Sequence, residues 1–202
     1  SGRWPVQWIW HPDYSGYEPN VLAFKRKFKL NQPATIRFHV SADSRYILFL
    51  DGQEIGRGPE AGDLEHWFYD TYEIKLVKGT HILVALVWWL GSKGPEAQLF
   101  YRGGFILGGE RNFLNLISTG LSNWQVKVVT GIKFSPSPLD RWQGTWRTGP
   151  NLIVEAARFP WGIERGKGQN WVKAKPIYYG MDANRMNHNP PGLLLLPATL
   201  PS

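Results

Sequence analysis

The sequence predicts an all-β fold, a sandwich of short strands, and three observations carry that prediction. Short apolar runs recur from Ala23 to Val129, with glycine, proline, asparagine and aspartate clustered between them. No apolar series at i, i+3, i+4 and i+7 lasts the length of a helix. The chain is also rich in rings, with 11 Trp, 8 Tyr and 10 Phe in 202 residues, and such side chains fit the half-buried, pleated surface of a sheet.

Each element follows from its local pattern. Ala23 to Leu30 reads as a strand, with basic residues alternating against Phe24, Phe28 and Leu30. Thr35 to Ser41 sets Ile36, Phe38 and Val40 against Arg37 and His39. Tyr46 to Leu50 is a continuous apolar run that ends on the turn signal Asp51-Gly52, and Gln53 to Gly56 begins the return. After a glycine-bearing loop from Gly56 to Asp63, Trp67 to Ile74 is a strand. Lys78-Gly79 turns the chain, and His81 to Trp89 is a long buried strand. Gly103 to Leu107, Phe113 to Ile117 and Trp124 to Val129 complete the series. Beyond Thr130 the texture changes. Ser135-Pro136-Ser137-Pro138 reads as a long loop, Trp142, Trp146, Trp161 and Trp171 fall in glycine- and proline-rich sequence, and Leu152 to Ala157 and Trp171 to Lys175 read as strands. Ser1-Gly2 reads as a remnant of cloning. Residues 3–202 then form one sandwich, with 131–202 as an extension or a partial second β-unit whose strands return to the sheets.

Composition narrows the function. The net charge is +7, yet the lysines and arginines are dispersed. The densest cluster, Lys25-Arg26-Lys27, belongs to an alternating strand with one wet face, so the reading is no nucleic acid. No apolar run approaches the ~20 residues of a membrane span, so the reading is no membrane. There is no cysteine, hence no disulfide, no thiolate nucleophile and no thiolate metal site. That fits a periplasmic or secreted protein and equally a cytoplasmic one.

The chemistry-bearing residues are few and scattered. The five histidines form no metal-ligand pair, and His39 and His81 read as ordinary strand-face residues. A calcium ion held by loop carboxylates is the one cofactor the acids admit, with Asp51, Glu54, Asp63 and Asp70 as candidates. The other reading is that these acids are solvated and there is no cofactor. No nucleophile elbow or phosphate loop is present. Paired carboxylates for glycoside hydrolysis would have to come from Glu54, Glu60, Asp63, Glu65, Asp70, Glu73, Glu96 and Glu155, and nothing in the sequence faces two of them together. A sugar site, an aromatic platform with a few planar polar groups, fits better. Its candidates are Arg57, Asp63, Trp67, Asp70, Trp88 and Trp89. Trp88 and Trp89 are adjacent on one strand, so one points into the core and the other is either an exposed platform or covered by a neighbouring domain. Arg57 has two readings: a fork for two sugar hydroxyls, or a guanidinium pinned to an acid.

Several stretches resemble the N-terminal β-domains of bacterial α-L-rhamnosidases, glycoside hydrolases of family 78. They are Ser41 to Gly52 followed by Gly56-Arg57-Gly58-Pro59, then Trp67 to Ile74 with the turn at Lys78-Gly79 and Ile82 to Trp89. Gly94-Pro95-Glu96-Ala97-Gln98, Gly104 to Leu107 and Ser118-Thr119 before Trp124 continue the order. Glu155-Ala156-Ala157-Arg158 with Trp161, Trp171 to Ala174, and Leu196 to Pro201 follow. Asp51-Gly52 stands where such domains often have Asn-Gly, and Gly168-Gln169-Asn170 stands where an acidic pair commonly precedes the Trp. The resemblance implies a jelly-roll β-sandwich, like a galactose-binding domain, with long decorated loops. It implies a non-catalytic accessory domain that braces a catalytic domain of the same polypeptide and binds an oligosaccharide in some relatives. The acid and base glutamates would lie in a helical barrel further along, so no catalytic residue is expected here. A stand-alone carbohydrate-binding module and a small glycosidase are the alternatives.

Overall fold

A computed structural model describes residues 2–91, 101–135, 151–185 and 192–199. The chain is mostly strand. Strands β1 (Arg3–Trp10), β2 (Asn20–Leu30), β3 (Ala34–Asp43), β4 (Arg45–Leu50), β5 (Gln53–Gly58), β6 (Trp67–Leu76), β7 (Gly79–Trp89) and β8 (Gly104–Gly109) form the first half. One helical turn, α1 (Leu114–Ile117), precedes β9 (Gln125–Val128), β10 (Ile132–Ser135), β11 (Asn151–Val154), β12 (Val172–Lys173), β13 (Lys175–Asp182) and β14 (Leu194–Pro197).

The strands make two principal sheets. One is an open, antiparallel sheet of six in the order β12-β9-β2-β7-β4-β5. Its longest ladder joins β2 to β7 in unbroken register from Asn20 opposite Trp89 to Leu30 opposite Gly79. The other runs β1-β13-β14-β6-β3-β8 and closes on itself where Ile9 of β1 pairs with Phe105 of β8. β14 lies parallel to both of its neighbours. An all-β fold is therefore what forms, and the closure of the second sheet into a six-stranded barrel is a feature the expectation of a jelly-roll sandwich did not include. β10 and β11 pair apart from both sheets.

The packing follows from the two-residue period of a strand. Leu22, Phe24, Leu48, Leu83 and Ala85 from the open sheet meet Ile9, Ile36, Phe38, Val40, Phe105 and Leu107 from the closed one, and all are buried in one core. Ile106, between Phe105 and Leu107, points the other way into a second cluster with Val6, Trp8, Trp67, Leu193 and Leu195. A third cluster covers the far face of the open sheet, where Val21, Ala23 and Leu86 meet Val129 and Ile163, with Trp88, Phe159 and Trp171 packed against them.

The turn at Asp51-Gly52 forms as its sequence demands. Both residues have positive φ, 53° and 86°, as a two-residue hairpin turn of this kind requires. The expected strand at Phe113 to Ile117 is corrected: those residues form a 3-10 turn at Arg111–Phe113 and then α1. The cause is Gly109. A Cβ there would lie 2.7 Å from the Phe113 carbonyl and 2.8 Å from Ile117, so only glycine lets the chain fold back this closely. Ser118 Oγ then accepts from the Gly109 amide at 2.9 Å and holds the turn. The strand expected over Leu152 to Ala157 stops at Val154, because Arg158 N and Phe159 N both donate to the Glu155 carbonyl and turn the chain. β1, β10, β13 and β14 were not among the expected strands. The Gly94 to Gln98 segment, Pro136 to Pro138, Trp142, Trp146, His188, Leu200 and Pro201 lie outside the described residues.

Candidate functional site

The six residues expected to bind sugar do not assemble on one surface. Arg57 is exposed on the edge strand β5, and its guanidinium holds Glu54 Oε1 through Nη2 at 2.6 Å and Nε at 2.9 Å, the pinned reading of the two. Asp63 is exposed in the loop before β6, where its carboxylate accepts from the amides of Glu65 and His66, both at 2.8 Å. Desolvation raises its carboxyl, but those bonds and the neighbouring His66 ring together outweigh it and hold the carboxyl below the usual range. Trp67 is buried, and its indole donates to the Ala42 carbonyl at 3.3 Å. Trp89 is buried in the main core. Trp88 faces the other way and is half-buried, packed against the cluster of Val21, Ala23, Leu86, Val129 and Ile163, so residues of this chain, and not only a neighbouring domain, cover it.

Asp70 is buried beneath β5 and belongs to a polar cluster. The Tyr46 hydroxyl donates to its Oδ2, and the Tyr46 and Tyr72 hydroxyls lie 3.0 Å apart. Burial pushes the Asp70 carboxyl up, and the bond from Tyr46 only partly opposes that. Two glycines make the cluster possible. A Cβ on Gly58 would fall on the Asp70 carboxylate, and one on Gly56 would fall on the Tyr72 ring. The glycines flanking Arg57 thus let β5 lie close over Asp70 and Tyr72. Of the calcium candidates, Asp51 accepts from the Ile82 amide at 2.8 Å and bonds the His81 ring at 2.7 Å, and Glu54, Asp63 and Asp70 have the partners given above. Among the described residues, no three of His, Asp and Glu gather as a metal cluster.

A groove on the face of the closed sheet turned away from the main core gathers what the expected residues do not. It has a volume of about 270 Å³ and is lined by Trp4, Val6, His39, Tyr69, Gly108 and Leu114, among others. Trp4 and Tyr69 meet edge to face at 5.1 Å and 74°, and His39 meets Tyr69 at 5.2 Å and 73°. The His39 ring is fixed at both nitrogens, to Thr71 Oγ1 at 2.8 Å and to Glu110 Oε1 at 2.9 Å. Arg37 Nε reaches the same Glu110 oxygen at 3.2 Å. Burial pushes the His39 ring below the usual histidine range, outweighing the pull of Glu110, so the imidazole is neutral at pH 7.

Strand alternation explains this arrangement. Ile36, Phe38 and Val40 take the core side of β3, so Arg37 and His39 point out. The partner β6 places Thr71 opposite His39. His39 was expected to be an ordinary face residue, and Trp4 carried no expectation. The signal for His39 was the alternation itself; what the sequence lacked was the neighbour, since β1 was not read as a strand.

One further group is unusual. Asp43 is fully buried at the end of β3. Its Oδ2 accepts from the amides of Tyr101 and Arg102 at 2.8 and 3.0 Å, and its Oδ1 has no partner among the described residues. Burial pushes its carboxyl up to about 7, and the two amide bonds pull it down by less.

No protein-family model matches the chain, and no curated protein matches it. Solved structures do. The fold resembles part of a family 78 rhamnosidase of Bacillus sp. GL1, with a TM-score of 0.72 and 21% identity over 98% of this chain and 20% of that one. It resembles part of an α-L-rhamnosidase from Aspergillus terreus with a TM-score of 0.59 and 12% identity, over 86% of this chain and 21% of that one. A lectin from Pleurotus ostreatus matches with a TM-score of 0.51 and 16% identity, over 89% of this chain and 43% of that one. The chain therefore resembles one domain of such rhamnosidases and spans about a fifth of their length.

Proposed function

We propose that this chain is an accessory β-domain of a larger glycoside hydrolase of the α-L-rhamnosidase kind, a jelly-roll-like unit that braces the catalytic domain of the same polypeptide and contributes to holding carbohydrate. The observation that carries the proposal is the match of 98% of this chain to only 20% of a rhamnosidase. The acids support the non-catalytic part. Glu54, Asp63, Asp70 and Glu110 are each committed to a partner within the fold. No residue is assigned a catalytic role. A periplasmic or secreted location belongs to the same reading.

The test is the size of the native polypeptide. An antiserum against this chain should detect, in the producing cells, a protein about five times its length, the ratio set by the 20% coverage. The isolated chain should leave an aryl rhamnoside intact. A native protein no longer than this chain would overturn the proposal. It would favour a stand-alone carbohydrate-binding module, the reading that the likeness to the Pleurotus lectin supports. Hydrolysis by the chain alone would favour the small glycosidase instead.

A further inference from the structure

We infer that the groove bounded by Trp4, His39 and Tyr69 binds one neutral sugar ring. This deepens the carbohydrate-linked reading above and rests on it for the choice of ligand class; the site itself rests on the geometry of the groove.

Size is the first argument. At about 270 Å³ the groove falls just below the ~300–1,000 Å³ usual for drug-sized ligands, which suits a monosaccharide unit rather than an extended chain. Ring geometry is the second. Trp4 and Tyr69 meet at 74°, so their faces bound a corner instead of stacking on each other. A pyranose can lay its C–H face against one ring while its hydroxyls reach the polar wall. The polar side chains on that wall are Tyr69 and His39, whose ring is held in place by Thr71 at 2.8 Å and by Glu110 at 2.9 Å.

Charge is the third argument. Among the described residues that line the groove, none is an Asp, Glu, Lys or Arg, so its wall carries no charged side chain. A phosphate or an ammonium ion would find no net counter-charge there, whereas a polyol needs only hydrogen bonds. The fourth is Gly108. A Cβ there would sit 3.5 Å from Val6 and 3.9 Å from Trp4, ordinary contact distances, so a methyl group at this position would stand at the groove wall without clashing. The walls also stand on paired strands of a closed sheet, the rigid mounting that a binding site needs.

The test is a titration of the 202-residue chain, followed by calorimetry and by tryptophan fluorescence. The probes are L-rhamnose, D-galactose and D-glucose, with choline and inorganic phosphate as charged competitors. At least one sugar should saturate in the millimolar range. Gly108→Val should weaken it about tenfold or more while leaving the melting temperature within a few degrees of the parent. Trp4→Ala should do the same to binding. Because Trp4→Ala removes packing as well, Gly108→Val is the deciding variant. Absence of saturation by every sugar would overturn the inference. So would sugar binding unaffected by Gly108→Val, or a preference for choline or phosphate. These failures are separable from failure of the accessory-domain reading. A chain that binds no sugar yet belongs to a long polypeptide leaves the accessory domain standing. A sugar-binding chain whose native protein is no longer than itself removes only the accessory role.

Discussion

β6 carries polar aromatic chemistry on both of its faces, and the two faces end differently. On the inner face, Asp70 and Tyr72 join Tyr46 under the glycines of β5, and the space that Cβ atoms on Gly56 and Gly58 would need is already filled by the Tyr72 ring and the Asp70 carboxylate. On the other face, Tyr69 and Thr71 join His39 and Trp4 beside Gly108, and a Cβ on that glycine would meet Val6 and Trp4 only at ordinary contact distances of 3.5 Å or more. Glycine has opposite uses in the two places. In one it lets two pieces of the protein touch, and the polar groups satisfy one another. In the other it leaves room, and the polar groups are held ready with space in front of them. An inner cluster of this kind is a stability device, whereas an outer corner of this kind is a place for a ligand.

The largest expected effect is at the inner glycine. Gly58→Ala puts a methyl group on the Asp70 carboxylate and 3.1 Å from the Tyr46 hydroxyl. Either β5 lifts from the sheet or the buried hydrogen bond breaks. Overpacking and an unsatisfied buried carboxyl together should lower stability by about 4 kcal/mol. Thermal or urea unfolding reads this directly, and a loss below about 1 kcal/mol would mean that the cluster is not rigid.

Asp43 sharpens the comparison, because it is a buried carboxyl that lacks what Asp70 has. Tyr46 donates a hydroxyl proton to Asp70, but one oxygen of Asp43 has no partner among the described residues. Its folded carboxyl titrates at about 7, above the 3.8 of an unperturbed aspartate. The unfolded chain therefore releases this proton first. Stability from Asp43 is full below about pH 4 and falls, by at most about 1.4 kcal/mol per pH unit, until the folded group has ionised as well near pH 7. Asp43→Asn keeps an acceptor for the Tyr101 and Arg102 amides and cannot ionise. Unfolding measured from pH 4 to 8 should show a shallower decline in the variant than in the parent; parallel profiles would mean that Asp43 is already ionised at low pH.

How much of this was legible in the sequence depends on period and on partners. The central strands were, because alternation at Ile36, Phe38 and Val40 and the turn at Asp51-Gly52 are local signals with fixed physical causes. β1 and β13 were not, because the β1–β13 pairing slips register twice between Arg3 and Ile9, and tryptophans at positions 4, 8 and 10 mask any clean alternation. Closure of the second sheet could not be read either, since it depends on the pairing of Ile9 with Phe105, far apart in sequence. The sugar-site candidates were chosen for residue type. Trp67 and Trp89 lie in cores for the ordinary reason that large rings fill them, and Arg57 has a neighbouring acid three residues away. The groove lies where four strands from distant parts of the chain, β1, β3, β6 and β8, meet beside α1, so its residues carry no common local pattern.

The smallest expected effect is at the outer glycine, and it is the more telling for being small. Gly108 sits in β8 opposite His39, with an ordinary backbone conformation, and an added methyl meets Val6 and Trp4 at 3.5 Å or more. Alanine also costs the unfolded chain some freedom, which offsets any slight crowding. Gly108→Ala should therefore change stability by less than about 0.5 kcal/mol in either direction, where Gly58→Ala costs several times that. If the two glycines proved equally intolerant, the space above Gly108 would be needed for folding itself, and the distinction between a filled face and an open one would fail. If Gly108→Ala is neutral, the fold does not require a glycine there, and the empty corner beside Trp4 and Tyr69 calls for an explanation outside stability.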